Sequence, residues 1–280
     1  PLDTVHNYNM LTEDFIPLYD MIKVLDLDKK KKIKGLSAQR ADILPAALAV
    51  IKSFVSYMNV ENFTISGAGL REGIMFNQAL PSTIEKPVSD VLTYSLTTLV
   101  KWYDCDEKHV EHVVNLSIQL FKQLRVLHKF PRQYLKVLKV AATLHDCGMR
   151  IKYYNHQRHS WYMILNANLY GVTHREIVLA AFTACCHKKE DINPLDWARF
   201  KDILHEDDIE IVKRLGVMLR IAESLDRSMS GCIKGINCDI LGDSVIMKTE
   251  VEGDASLEIR DAMAAGAEFK KSFHKNLEIL

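Results

Sequence analysis

Histidine and aspartate residues recur along the chain in an order that suits a divalent metal site. His145 and Asp146 are adjacent, at the end of an apolar helical segment that begins near Tyr134. An adjacent imidazole and carboxylate offer a metal two ligands from one rigid point. The other candidates lie far away in sequence, at His109, His159, His187 and Asp226. If a helical fold brings them together, they form a hydrolytic metal site; otherwise the pair is an ordinary polar helix end.

The order of these residues is more informative than any one of them. The chain has 11 histidines, and a lone histidine on a helix is more often a polar surface or core residue than a ligand. A series of His, His-Asp, His, His and a late Asp is far more specific. Mixed nitrogen and oxygen ligation suits Mn, Fe, Co, Zn or Mg and does not select one of them. A metal held in this way would activate water and polarise a phosphoryl oxygen.

Helices are the elements that must position this series. Residues 88–228 are almost wholly helical by apolar periodicity, with helices predicted over 91–103, 107–128, 131–145, 158–169, 173–187 and 207–227. The candidates lie near helix ends, which can converge on one rim of a bundle. Short strands are predicted at 62–66, on either side of Gly242-Asp243, and at 277–280, with a helix over 257–273. The fold class predicted is α+β, mainly α.

Composition describes an ordinary globular protein and excludes several partners. Lys+Arg and Asp+Glu balance at 36 each, so no overall field recruits nucleic acid. Six cysteines show no CxxC pairing, and neither a signal peptide nor an apolar run long enough for a bilayer is present, which predicts a reduced, cytoplasmic protein without a membrane partner. The chain opens at Pro1 without Met, as expected for a fragment or a processed chain.

Motifs along nearly the full length resemble one enzyme family. The motifs are residues 35–50 (GLSAQRADILPAALAV), 66–73 (SGAGLREG), 109–121 (HVEHVVNLSIQLF), 142–148 (ATLHDCG), 156–166 (HQRHSWYMILN), 186–188 (CHK) and 222–228 (AESLDRS). They resemble the HD-domain phosphohydrolases and, more closely, the C-terminal part of the exopolyphosphatase/guanosine pentaphosphate phosphohydrolases, the Ppx/GppA family. The resemblance implies three segments: 1–82 from an actin-like ATPase-fold phosphatase module, an HD-type helical domain over 83–230, and a small α/β cap over 231–280. Residues 81–87 are the best linker.

The resemblance also implies roles for individual residues. The metal ligands would be His109, His145, Asp146 and Asp226. Catalytic roles would go to Asp146, His159 and His187. Substrate would be bound by Arg158, Lys188 and Arg227, although these cations also suit a solvated set at helix ends. The implied partners are inorganic polyphosphate or guanosine penta/tetraphosphate and a second copy in a homodimer, and the implied cofactor is a divalent metal (Mn, Mg, Fe or Zn).

One departure from the family pattern limits the expected activity. The phosphate-binding loops and catalytic carboxylate of the family's phosphatase site are expected upstream of Pro1, and Gly67-Ala68-Gly69 is better interpreted as a packing turn than as a phosphate cradle. Three hypotheses follow for the helical domain. It is an active metal phosphohydrolase, a binding and dimerisation module for polyphosphate or nucleotide, or a helical scaffold without metal.

Overall fold

The chain folds into two compact units made mostly of helices. The computed structural model describes residues 8–79, which belong to one unit, and residues 90–188 and 192–280, which belong to the other. Helices together with two small sheets confirm the predicted α+β, mainly α class. The linker predicted at residues 81–87 lies outside the described residues. Within the described ranges, no helix has both the length and the apolar character needed to span a membrane.

The N-terminal unit combines a two-stranded sheet with four helices. Strands β1 (Tyr8–Leu11) and β2 (Asn62–Ile65) pair antiparallel. The helices are α1 (Thr12–Val24), α2 (Leu27–Lys31), α3 (Leu44–Met58) and α4 (Leu70–Ala79). Proline in the first turn of α3 is tolerated because its missing N–H would be unsatisfied there, and Asn59 ends that helix in the left-handed region at φ 48°. The sequence predicted β2 and α3 but not β1.

The second unit begins with a set of helices that follows the predicted periodicity. Its helices before the sheet are α5 (Val91–Trp102), α6 (Glu107–Gln123), α7 (Arg125–His128), α8 (Gln133–Leu144), α9 (His156–Leu165), α10 (His174–Cys185), α11 (Pro194–Ala198) and α12 (Asp208–Ser224). The helix predicted over 107–128 divides at Leu124, which belongs to neither α6 nor α7. Helix α10 starts with a reciprocal capping box between Thr173 and Glu176, which satisfies two otherwise unpaired N–H groups.

Helix α12 lies at the centre of the core of this unit. Leucines of α6, α8, α10 and α12 are fully buried at Leu116, Leu120, Leu138, Leu144, Leu179, Leu215 and Leu219. Burying each such side chain stabilises the fold by about 1.5–3 kcal/mol. A Cβ on Gly216 of α12 would lie 2.6 Å from the Cβ of Cys186. Glycine therefore allows α12 to approach the end of α10 closely, next to His187.

The C-terminal residues add a three-stranded sheet to the same compact unit. Strands β3 (Ile233–Leu241) and β4 (Ser244–Val251) form an antiparallel hairpin. Helices α13 (Ser256–Met263) and α14 (Gly266–Phe273) then lead to β5 (Asn276–Ile279), which runs parallel to β4. Gln119 and Gln123 of α6 hydrogen-bond to the backbone of β3. The sheet is thereby fixed to the helix that begins near His109.

Candidate metal centre

Four helix ends bring histidines to the carboxylate of Asp146. His145 and Asp146 follow α8 and precede a 3-10 helix, Cys147–Arg150. His109 lies in the first turn of α6, where its N–H donates to the capping carboxylate of Asp106 at 2.9 Å. His156 is the first residue of α9, and His187 follows the end of α10. His145 and His187 are 0% exposed, so the cluster lies below the surface.

The Nε2 atoms of these histidines surround the two oxygens of Asp146. On the Oδ2 side, the distances are 3.5 Å to His145 and 3.9 Å to His109. On the Oδ1 side, they are 3.2 Å to His156 and 3.6 Å to His187. Two possible ligand sets result, His109–His145–Asp146 and Asp146–His156–His187, and they share only the aspartate.

Each of these rings is oriented by its other nitrogen. In three of them Nδ1 lies beside the carbonyl three residues earlier, at 2.8 Å (His145 to Ala142), 2.8 Å (His156 to Tyr153) and 2.5 Å (His187 to Ala184). In His109, Nδ1 lies 2.7 Å from Asp226 Oδ2. A carbonyl or carboxylate oxygen only accepts a hydrogen bond, so each Nδ1 donates, and each Nε2 carries its lone pair when the imidazole is neutral. His156 Nε2 and His187 Nε2 also lie 3.1 Å from each other. The lone pairs therefore converge on Asp146.

The geometry of the cluster fits a divalent metal. Ligand bonds of about 2.0–2.2 Å in a tetrahedron place ligand atoms roughly 3.3–3.6 Å apart, close to the 3.2–3.9 Å found around Asp146. His145 Nε2 and Asp146 Oδ1 are buried and make no hydrogen bond within the described ranges. Unsatisfied buried polar atoms are costly, and a metal would satisfy both of them. The His and Asp groups present can thus bind a divalent metal.

Charges in the cluster favour an ionised aspartate. Burial alone would raise the pKa of Asp146, but His145, His156 and His187 outweigh it and hold that pKa far below its usual range. Burial, with the neighbouring His145, lowers the pKa of His187 to about 3. The pKa of His156 is raised, because its contact with Asp146 outweighs the effect of burial. A negative carboxylate facing neutral imidazole nitrogen is the state in which both groups bind a metal.

Asp226 lies behind His109 and belongs to neither ligand set. Its Oδ2 is bound to His109 Nδ1, and its Oδ1 accepts a 2.9 Å hydrogen bond from Gly231 N. Burial would lower the pKa of His109, but the hydrogen bond to Asp226 outweighs it and raises that pKa. This arrangement differs from the direct ligation that the family resemblance implies. It is the arrangement in which a carboxylate fixes the tautomer of a metal-binding histidine.

The histidine of α9 that faces Asp146 is His156, whereas the sequence analysis named His159. Helix α9 begins at His156 and not at the predicted Arg158, so His156 lies at the helix start facing Asp146. His159 follows almost one turn later, beside Gly148. It belongs to neither of the two possible ligand sets found among the described residues. Asparagine is favoured just before a helix, and Asn155 holds that place, although in the left-handed region at φ 60° and without a side-chain capping hydrogen bond. Counting the helix from Asn155 selects His156.

Gly148 allows the turn after Asp146 to cross the start of α9. A Cβ at this position would lie 2.2 Å from His156 O and 2.4 Å from Ser160 N. The N–H of Gly148 donates to Ser160 Oγ at 2.9 Å. Contacts this short exclude any side chain unless the backbone moves. Glycine at 148 therefore holds His156 within reach of Asp146.

The cations predicted to bind substrate are each paired with an acid. Arg158 Nη1 lies 3.0 Å from Asp196 Oδ2, while Lys188 Nζ and Arg227 Nη1 lie 2.7 and 3.2 Å from the same Glu223 oxygen. Burial would raise the pKa of Glu223, but Lys188 and His187 outweigh it and lower that pKa. Sequence reasoning missed Glu223, although its spacing of four residues from Arg227 on a helix was a usable signal. The substrate-binding role of the three cations stays a prediction.

Comparison with known proteins matches two family models to this chain. The model described as Ppx/GppA phosphatase, domain III, matches residues 91–259, and the model described as Ppx/GppA phosphatase family matches residues 1–82. Curated relatives named guanosine-5'-triphosphate,3'-diphosphate pyrophosphatase are similar over part of their length. The protein from Aeromonas salmonicida is 29% identical over 143 residues, which are 51% of this chain and 28% of that protein.

Two further relatives carry the same name. The protein from Aliivibrio fischeri (strain MJ11) is 29% identical over 155 residues, or 55% of this chain and 29% of the relative. The protein from Pseudoalteromonas translucida is 26% identical over 175 residues, or 61% of this chain and 33% of the relative. The chain thus spans about a third or less of the curated relatives that it matches. With a family model covering more than half of its length, the chain belongs to the Ppx/GppA phosphatase family.

Proposed function

We propose that this chain is part of an enzyme that hydrolyses phosphoanhydrides, with guanosine penta/tetraphosphate or inorganic polyphosphate as its substrate. Membership of the Ppx/GppA family supports the reaction class. The pyrophosphatase name of the relatives favours the guanosine nucleotide over polyphosphate. The homodimer stays a prediction from the family resemblance.

Within that enzyme, the cluster around Asp146 is an HD-type metal centre. The observation that carries this proposal is the convergence of histidine Nε2 lone pairs on one buried carboxylate. Magnesium and manganese suit oxygen ligands, whereas imidazole suits Fe and Zn. The centre therefore favours Fe or Zn over Mg.

The possible ligands divide into two sets that share Asp146, and this division favours two metal positions. His109 and His145 face Oδ2, and His156 and His187 face Oδ1. Metal at these positions would supply activated water and a polarised phosphoryl oxygen. His187 is completely buried with Nε2 toward Asp146, so its role is to hold metal rather than to shuttle a proton. His159, three residues after His156 on α9, keeps the catalytic role that the family resemblance implies.

A non-catalytic role for the centre is the second candidate. His145 and His187 are 0% exposed, and structural metal sites are closed whereas catalytic sites keep an open position. In that case the centre stabilises a module that binds polyphosphate or nucleotide and forms dimers.

Metal analysis combined with an assay separates these roles. The full chain would be purified and its metal content measured by mass spectrometry, alongside hydrolysis of p-nitrophenyl phosphate and guanosine pentaphosphate before and after chelation. We expect the wild type to retain metal and Asp146→Asn to bind it at least about 100-fold more weakly, because replacing groups behind a ligand already costs about 10–100-fold. Asp239→Asn is the control, since that carboxylate is exposed and pairs with Lys248.

The outcomes differ for each hypothesis. Hydrolysis that disappears with the metal and returns when metal is added supports the catalytic centre. If the purified wild type contains metal but its hydrolysis rate is the same before and after chelation, the structural role is supported. A wild type that binds no added metal overturns both.

A further inference from the structure

Two tyrosines beside the metal centre expose most of their side chains. Tyr153 and Tyr154 lie between the 3-10 helix that follows Asp146 and the start of α9, and they are 61% and 73% exposed. Single apolar side chains scattered over a surface need no explanation. An aromatic pair next to a metal-facing histidine is different, because it presents flat faces where a molecule bound to the metal would extend.

Tyr153 is held against the metal-facing histidine of α9. Its carbonyl oxygen accepts the hydrogen bond from His156 Nδ1 at 2.8 Å. The ring centroids of these two residues are 5.8 Å apart, with an interplanar angle of 38°. The rings of Tyr153 and Tyr154 meet edge to face, with centroids 5.7 Å apart. Since His156 Nε2 faces Asp146 Oδ1, the Tyr153 ring lies one side chain away from the Oδ1 metal position.

The side chain of Tyr153 is also tied to a well-held arginine. The pKa of Arg227 is raised, first by the charge of Glu223 and less strongly by Asp261 and by a hydrogen bond with the Tyr153 side chain. Arg227 Nη1 lies 3.2 Å from Glu223 Oε1, and Arg227 Nε lies 4.0 Å from Asp261 Oδ2. A guanidinium between two carboxylates has a fixed place. The ring is therefore oriented before a ligand binds, which lowers the entropic cost of binding.

Charge around Tyr153 is balanced rather than basic. The cations Lys188 and Arg227 are matched by the carboxylates of Glu223 and Asp261. A balanced surface attracts a polyanion only weakly. An aromatic face, by contrast, stacks against any nucleobase, whereas an inorganic phosphate chain has no flat group to stack. This surface therefore suits the base of a nucleotide better than its phosphates.

We propose that Tyr153 stacks against the base of a nucleotide whose phosphates lie at the metal centre. Tyr153 thereby selects nucleotides over inorganic polyphosphate, and Arg227 is a positioning residue that holds the tyrosine ring. This assignment rests on the proposed function for the place of the phosphates, whereas stacking of a base on Tyr153 needs no hydrolysis.

Calorimetric titration of the full chain, as purified, with GMP and with ribose 5-phosphate tests the proposal, because the second probe lacks the base. We expect Tyr153→Ala to weaken GMP binding by roughly 5- to 150-fold, which corresponds to one stacked base, and to leave ribose 5-phosphate binding unchanged. Tyr153→Phe loses the contact with Arg227 but keeps the aromatic face, so GMP should bind within about threefold of the wild type. The control is Tyr162→Ala, at an exposed tyrosine farther along α9, which should match the wild type.

Several results would overturn the proposal. The wild type would bind GMP no more tightly than ribose 5-phosphate, or Tyr153→Ala would bind GMP as tightly as the wild type. An equal loss of both probes in Tyr153→Ala would mean that the tyrosine supports the phosphate position and not the base. Failure of the proposed function gives a different result, in which GMP binding depends on Tyr153 but no nucleotide is hydrolysed. Circular dichroism confirms that each variant is folded.

Discussion

The two sides of the Asp146 carboxylate are built differently. On the Oδ2 side, His109 and His145 extend from ordinary α-helical turns, and a second carboxylate, Asp226, orients His109. On the Oδ1 side, the Nδ1 atoms of His156 and His187 both face backbone carbonyls. Their helices reach the centre because Gly148 and Gly216 leave room for a neighbouring segment.

The difference indicates two separate means of positioning the same type of ligand. The Oδ2 side depends on electrostatics, because a negative charge behind His109 raises its pKa and fixes its tautomer. The Oδ1 side depends on close packing, because a single added methyl group would displace the backbone that carries His156. The two sides should therefore fail in response to different substitutions.

The largest expected effects come from removing one ligand on each side. His145→Gln and His187→Gln should each weaken metal binding on their own side by at least about 100-fold, since both remove a direct ligand. Metal content should fall from two ions to one in each variant if Asp146 bridges two positions. The control is His205→Gln, at an exposed position. Complete loss of metal in both variants would show that all of the ligands serve a single ion.

Gly148→Ala should damage only the Oδ1 side. Its new Cβ would meet His156 O and Ser160 N, and the forced shift should cost about 1–3 kcal/mol of stability. We expect a lower melting temperature and loss of the metal held by His156 and His187. Gly266→Ala is the matched control, because nothing lies within 4 Å of a Cβ there. Equal metal loss from both sides would mean that Gly148 supports the whole centre.

Asp226→Asn should affect only the Oδ2 side, and less severely. Substituting a group that orients a metal-binding histidine typically costs about 10–100-fold in affinity. Competition with a chromophoric chelator would measure the two affinities separately. A loss as large as that caused by Asp146→Asn would instead support direct ligation by Asp226, as the family resemblance implies.

The smallest expected effect is a pH dependence of stability in metal-free protein. Because Asp226 raises the pKa of His109, protonation of His109 stabilises the folded state. This contribution is complete below the unfolded pKa of about 6.5 and is lost as the pH rises through the folded value. The difference in unfolding free energy between wild type and Asp226→Asn should therefore be larger at about pH 5.5 than at about pH 8.5. Thermal denaturation in chelator measures it, and a difference that grows with pH would contradict the assignment.

Apolar periodicity predicted most of the fold, because long amphipathic helices carry a strong local signal. It placed α5 within one residue of its observed end. It failed where tertiary contacts decide the outcome. Strand β1 pairs with a distant strand, β2, in which Tyr8 lies opposite Ile65 and Leu11 lies opposite Asn62. A strand of four residues carries no local pattern that reveals such a pairing.

The residue types of the site could be predicted from the sequence, but the contacts between those residues could not. The structure brings His109, His145 and His187 to Asp146, and all three stand in the predicted series. His156 was missed because a helix start was misplaced by two residues. The pairing of Lys188 with Glu223 spans 35 positions, so the sequence could not show that this cation is neutralised.

The contact between α6 and β3 has a consequence for aggregation. Strand β3 is an edge of the three-stranded sheet, with β4 on one side. On its other side, the N–H groups of Ile236 and Cys238 donate to the side-chain oxygens of Gln119 and Gln123. An edge strand with free N–H groups is a template for pairing with another chain. Helix α6 therefore occupies this edge and prevents intermolecular β-sheet extension there.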